Sequence, residues 1–187
     1  LVAINTHTHS GLTAGRTFTG GVFGALRKIR AMLTMDLSEY DISRVVFVED
    51  YGVPAFRKKL CPEYKTGRKS RPDRDNFVEK YRESMKVIPE FLRILGVHQA
   101  FIPGWEADDV LGYEVITKPS QNFVICSGDK DLLQLTRHKN CTVYQPVQGE
   151  IVERVPRTYL LRRCLEGDKS DDIKGVPGID RKSTRLN

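Results

Sequence analysis

The chain of 187 residues is 40% hydrophobic and 29% charged, which supplies a core for one compact domain, or for one domain plus a fragment of a second. Its 30 Lys and Arg against 24 Asp and Glu leave a formal charge of +6. No run of about 18 apolar residues marks a membrane span, and the start lacks the basic and apolar regions of a secretory signal. Cys61, Cys126, Cys141 and Cys164 show neither CxxC spacing nor a zinc pattern, and read as reduced thiols of a cytoplasmic protein.

"LVAIN" predicts a strand running into a Gly/Thr-rich loop. In "GGVFGALRKIRAMLTMD", Val22, Leu26, Ile29 and Leu33 recur at helical spacing, with Arg27, Lys28 and Arg30 on the opposite face. "RVVFVED" is a continuous β-branched run and predicts a strand buried on both faces. Phe56 to Arg74 follows without a clear period. It holds eight basic residues against two acids, a density that attracts polyanions through counterion release.

"NFVEKYRESMKVIPEFLRILG" repeats Val78, Tyr81, Met85, Ile88, Leu92 and Leu95 at helical spacing, with a kink expected at Pro89 and an end at Gly96. "VHQAFIP" predicts a strand. "GWEADDVLGYEVIT" predicts a helix that Trp105 anchors against the core. "NFVICSG" predicts a buried strand with Cys126 inside, and "CTVYQPVQGEIVERV" two strands around a Gln148-Gly149 turn. "PRTYLLRRCLEG" predicts a short helix with Pro156 near its start. Strands alternating with helices argue for an α/β fold with a largely parallel central sheet flanked by helices.

The acids fall at predicted strand ends and helix starts: Asp50; Glu106, Asp108 and Asp109; Asp129 and Asp131; Asp168, Asp171 and Asp172. Each group has a plain reading, since acids complement a helix N-terminus and suit tight turns. In a parallel sheet, however, strand carboxyl ends share one edge, so the acids after "RVVFVE" and "NFVICSG" are expected to meet. Converging carboxylates repel unless a cation lies between them, and hard divalent ions supply it. Two such ions about 4 Å apart clamp a phosphodiester and activate water. His7 and His9 in "NTHTHSG" have the spacing of a different metal site, but His98 and His138 lie away from the acids.

"GWEADDVLGY", "VICSGDKDLLQL", "GDKSDDIKGVPGI" and "PAFRKKLCPEYKTGRK" resemble the 5′ nuclease family: 5′→3′ exonuclease domains of bacterial DNA polymerases, phage exonucleases and flap endonucleases. The resemblance implies a PIN-like α/β core at residues 1–166, with a helical arch at about 56–90. Residues 167–187 would be the truncated start of a helix-hairpin-helix-type element that binds duplex DNA, and 180–187 ("DRKSTRLN") reads as non-native. The implied activity is two-metal hydrolysis of DNA at a 5′ end, flap or nick, leaving a 5′-phosphate and a 3′-hydroxyl. It would act as a monomer in a bacterial cytoplasm or phage-infected cell, beside a DNA polymerase domain or replication proteins.

By motif, Asp50, Glu106, Asp108 and Asp109 resemble the ligands of one Mg²⁺ or Mn²⁺, and Asp129, Asp131, Asp168 and Asp171 those around the second. Lys65 and Arg68 match catalytic cations that contact the scissile phosphate; Arg57, Tyr64 and Lys69 match DNA contacts. Gly175, Val176 and Gly178 match the duplex-binding hairpin, where K⁺ is expected. Asn5 stands where the family has Asp, keeping an oxygen ligand but removing a charge. Asn5 favours the alternative of a DNA-binding remnant without chemistry, and a PIN-type ribonuclease is a further alternative.

Overall fold

A computed structural model describes residues 12–15, 17–65, 75–168 and 173–179. The chain divides into two compact units. One is drawn from Leu1–Glu49, Pro72–Ala100 and Pro146–Gly149, the other from Asp50–Arg71, Phe101–Gln145 and Glu150–Asn187.

In the first unit a short antiparallel pair, β1 (Thr13–Ala14) and β2 (Thr17–Phe18), precedes helix α1 (Gly20–Ala31). The predicted stripe is real: Val22 and Ala25 are buried, Leu26 and Ile29 partly so, against Ile88 and Leu92 of α3 (Asp75–Ile94). Full burial of a side chain such as Leu92 stabilises by roughly 1.5–3 kcal/mol. α1 runs on into a π-helical turn, Met32–Asp36.

α3 continues through Pro89 without a break, and the Pro89 carbonyl accepts a hydrogen bond from Gln99 Nε2 at 2.8 Å. It ends as expected at Gly96, whose φ of 71° suits glycine. Val97 N–H donates to Leu92 O at 2.9 Å, the long bond of a Schellman cap, and the Val97 side chain joins the core. Leu95 falls in this turn and is exposed, although it continues the apolar spacing. The side chains of Val78, Tyr81 and Met85 lie outside the described residues.

β3 (Val46–Val48) pairs in parallel with β4 (His98–Ala100), Val46 opposite His98. The expectation of burial on both faces is corrected here: Val46 is exposed, and Phe47 and Val48 are only half-buried. The strand has three residues, and among the described residues its paired neighbour is β4.

In the second unit β5 (Phe123–Cys126) runs parallel to β6 (Cys141–Gln145), which pairs antiparallel with β7 (Glu150–Val152). Gly149, at φ 69°, lies in the predicted turn between β6 and β7. The β5–β6 crossover is a 3₁₀-helix, Asp131–Arg137, which buries Leu132, Leu133 and Leu135 with Ile125, Cys141 and Val143. Cys126 is exposed and Cys141 buried, the reverse of the expectation for Cys126. Side chains alternate along a strand, so Ile125 takes the core face and Cys126 the other. All four cysteines are free thiols, and burial pushes the Cys141 thiol up to about 11.

Helix α4 (Ala107–Thr117) covers this core through Val115. The basic segment, expected to lack a period, opens with a six-residue helix, α2 (Ala55–Leu60), entered from Pro54. α5 (Tyr159–Glu166) leads into β8 (Gly167–Asp168), antiparallel to β9 (Ile173–Lys174). A Cβ on Gly175 would lie 2.4 Å from Glu166 O, so the backbones approach too closely for any side chain there. Val176–Ile179 closes a turn through Ile179 N–H to Val176 O at 3.0 Å, with Gly178 at φ 83° after Pro177, as a type II turn requires. Among the described residues no helix is long and apolar enough to cross a membrane.

Candidate active site

Two loops set the first cluster. Gly104 N–H donates to Tyr51 O at 2.7 Å, and Tyr51 N–H to Trp105 O at 3.0 Å. A Cβ on Gly52, at φ 115°, would lie 3.3 Å from Gly104 Cα, so glycine permits this approach. The loop carrying Asp50 is thereby joined to the entry of α4, where Asp50 Oδ1 accepts the Ala107 N–H at 2.7 Å. Asp109 reaches back to the Glu106 N–H at 3.3 Å, as in a capping box. The plain reading of "EADD" as a helix start is therefore correct, and it is incomplete.

The same carboxylates are met by cations from α2 and the turn after it. Arg57 grips Asp109 with two bonds, Nη2 to Oδ1 at 2.7 Å and Nη1 to Oδ2 at 2.9 Å, and also donates to Glu106. Glu106, 3% exposed, further accepts the Lys65 ammonium and the Tyr64 hydroxyl, the latter at 3.1 Å. Lys65 reaches it from a backbone φ of 59°, a left-handed conformation uncommon for a residue with a side chain. Burial opposes the Glu106 charge, but Lys65, Arg57 and Tyr64 outweigh it and hold the carboxyl below its ordinary range. Lys65 and Arg57 are in turn held above theirs despite burial.

Asp108 differs. Burial pushes its carboxyl up, the Asp109 and Glu106 charges add to that, and Arg57, 3.8 Å away, offsets only part. Oxygens of Glu106, Asp108 and Asp109 all lie within 4.8 Å of one another. Among the described residues three carboxylates face two cations, Arg57 and Lys65, which leaves negative charge that a further cation would offset. Hard carboxylate oxygens suit Mg²⁺ or Mn²⁺ rather than a soft metal, so the donor set fits a divalent ion.

The second cluster is built otherwise. Asp129 Oδ1 accepts the Asp131 N–H at 2.8 Å, and Asp129 N–H donates to Ser127 Oγ at 3.1 Å, fixing the turn after β5. Arg163 bridges the rest, with Nη2 donating to Asp131 Oδ1 at 2.8 Å and to Asp168 Oδ2 at 2.6 Å. Burial opposes its charge, yet the two acids hold its pKa above the ordinary value. Among the described residues, no acid of this cluster joins the Glu106–Asp108–Asp109 set. Sequence reasoning misses Arg163; its signal is an arginine in "RRCLEGD", five residues before Asp168 on a short helix.

Arg57, Tyr64 and Lys65, assigned by resemblance to DNA contact or catalysis, here face the acids. Trp105 does not anchor α4 in the core: it is 44% exposed and tilts against Phe56, ring centres 6.3 Å apart. A lone tryptophan beside a loop glycine follows the loop's path. Asn5, Arg68, Lys69 and Asp171 lie outside the described residues.

Residues 6–162 match the family of 5′-3′ exonuclease N-terminal, resolvase-like domains. The chain is 32% identical over 178 residues to a 5′-3′ exonuclease of Buchnera aphidicola, covering 88% of the chain and 58% of that relative. To a DNA polymerase I of Mycobacterium tuberculosis it is 30% identical over 198 residues, covering 98% of the chain and 20% of the polymerase. The chain thus spans less than two thirds of the length of either relative. Among solved structures, the bacteriophage T5 flap endonuclease in a pseudo-enzyme–product complex with DNA and metal ions superposes with a TM-score of 0.70. At 16% identity, over 96% of this chain and 69% of that one, the likeness speaks for the fold, which is the mixed α/β, PIN-like core expected.

Proposed function

We propose, because the chain belongs to the family of 5′-3′ exonuclease N-terminal, resolvase-like domains, that it hydrolyses DNA phosphodiesters at a 5′ end, flap or nick with divalent metal ions. The observation that carries this reading is the Glu106–Asp108–Asp109 set facing Arg57, Tyr64 and Lys65. Asp50, Glu106, Asp108 and Asp109 would hold one ion, and Asp129, Asp131, Asp168 and Asp171 the other, with Mg²⁺ resident and Mn²⁺ able to substitute. Such ions, when bound, make water a competent nucleophile near neutral pH and offset charge developing on phosphate.

The protein's own residues do the rest. The paired loops and the capped start of α4 hold the carboxylates without further reorganisation. Lys65, with Arg68 and Lys69 in the same basic segment, would neutralise non-bridging phosphate oxygens as the strand enters. Arg57 keeps Asp109 in a fixed orientation through its two-point grip, and Tyr64 braces Glu106. The Gly175–Gly178 turn, with K⁺, would take the duplex backbone. Hydrolysis in line would leave a 5′-phosphate and a 3′-hydroxyl.

The test is cleavage of a labelled 5′-flap DNA by this chain in Mg²⁺, Mn²⁺ or EDTA, beside Asp129→Ala. Metal-dependent cleavage that Asp129→Ala abolishes is expected. Salt-sensitive binding without cleavage in either metal would instead identify the DNA-binding remnant that Asn5 favours, and cleavage of RNA alone a ribonuclease.

A further inference from the structure

A pocket of about 320 Å³ opens between the C-terminal end of the 3₁₀-helix, the segment after β7 and the start of α5. Arg137, Arg154 and Arg157 line it together with Val155, Pro156 and Tyr159, and no acid takes part. Among the described residues, no carboxylate lies within ion-pair distance of these three guanidinium groups. Arg57, Lys65 and Arg163 are each bound to acids. Single arginines scattered on a surface need no ligand; three lining one concavity bring like charges together, and an anion entering it offsets their repulsion. The Tyr159 hydroxyl is already committed to the Lys130 carbonyl at 2.7 Å, so at this site the ring serves as a wall.

We propose that this pocket binds the sugar-phosphate backbone of DNA, as an anchoring subsite separate from the carboxylate centre. The inference rests on the nucleic-acid reading above. Two features favour a backbone over a small free anion. The three arginines bring more positive charge than one phosphate monoester carries, and they come from two chain segments, the end of the 3₁₀-helix and the connection between β7 and α5. The 3₁₀-helix also carries Asp131 at its first residue and Arg137 at its last. At about 2 Å per residue that separation is about 12 Å, three to four base-pair rises along a strand. A strand engaged near Asp131 would thus meet Arg137 a few nucleotides away.

The experiment measures binding of a fluorescent 5′-flap duplex in EDTA between roughly 50 and 200 mM salt. It compares the unsubstituted chain with Arg154→Ala/Arg157→Ala, Arg137→Ala and Arg154→Lys/Arg157→Lys. Arg93→Ala serves as control, since Arg93 pairs with Glu90 on the exposed face of α3. Expected is a salt slope lower by about 0.9 for each phosphate no longer neutralised, and about tenfold weaker binding for the double alanine variant. The lysine pair should keep the slope, because neutralising a phosphate requires only the charge; matched thermal melts would show that the variants fold alike.

A double variant that binds flap DNA like the control overturns the proposal. So does one that loses only deoxyadenosine monophosphate, which would make the pocket a free-nucleotide site. Unchanged binding beside intact Mg²⁺-dependent cleavage sinks the pocket and leaves the nuclease reading standing. Altered slopes without cleavage by any form do the opposite, and an unsubstituted chain that binds no DNA removes both.

Discussion

At the start of α4, Glu106 and Asp109 are met by Arg57, Tyr64 and Lys65, whereas, among the described residues, Asp131 and Asp168 are joined by the guanidinium of Arg163. The side chains of the first pair are 4% and 16% exposed, those of the second 40% and 21%. An enclosed charge without a partner is costly, whereas water repays much of the loss at an exposed one. The first cluster is therefore a built assembly whose parts depend on one another. The second is a looser bracket in which one arginine holds two acids on separate elements. Asp108 belongs to the first by position, but its ion pair with Arg57 is the longest there, at 3.8 Å, and does not offset its burial, which marks it as a carboxylate with much to gain from a metal.

The largest expected effect tests that distinction. Asp108→Asn should lower metal-dependent flap cleavage by more than about 10²-fold, the scale of lost electrostatic stabilisation at a reacting phosphate. Its urea midpoint should stay level or rise, because repulsion from Asp109 and Glu106 is relieved. Arg57→Ala should do the reverse to stability, costing about 3 kcal/mol in chemical unfolding by leaving two enclosed carboxylates short of a cation. Arg57→Lys should recover only part of it, since an ammonium cannot reproduce the two-point grip on Asp109. Arg163→Gln should cost about 1 kcal/mol, and equal losses for Arg57→Ala and Arg163→Gln would erase the contrast between the clusters.

The smallest effect is a pH dependence. Folding lowers the Glu106 pKa, so the stability this confers is present above the ordinary value of 4.5 and lost as pH falls through the depressed one. In Lys65→Met the depression weakens, and stability measured from pH 7 downward should fall less steeply than in the unsubstituted chain.

Much of the fold was legible where one physical signal dominated. Apolar spacing located α1 and α3, and Gly96 marked the end of α3 because a positive φ is needed there. Signals failed where tertiary context decided. Nothing local says which face of a four-residue strand is covered, so burial falls on Cys141 and not on Cys126, where the apolar run pointed. α2, six residues long, is too short for a period to register, and its value lies in aiming Arg57 at acids 49 and 52 positions further on. The acids themselves were legible as a set. Their partition into two clusters, and Arg163 as the bridge of one, required knowing which chain segments return to each other.

That return has a consequence for how the molecule forms. Arg57 and Glu106 belong to the same compact unit, yet Pro72–Ala100 between them belongs to the other. The grip on Glu106 and Asp109 therefore closes only after the chain has left one nascent body and come back. By the cost of closing such a loop it is expected to follow the local contacts of β5, the 3₁₀-helix and β6. Interactions completed late act chiefly on the rate of unfolding. The first cluster is thus expected to act as a latch on the folded state: Arg57→Ala should speed unfolding, followed by stopped-flow in urea, more than it slows folding.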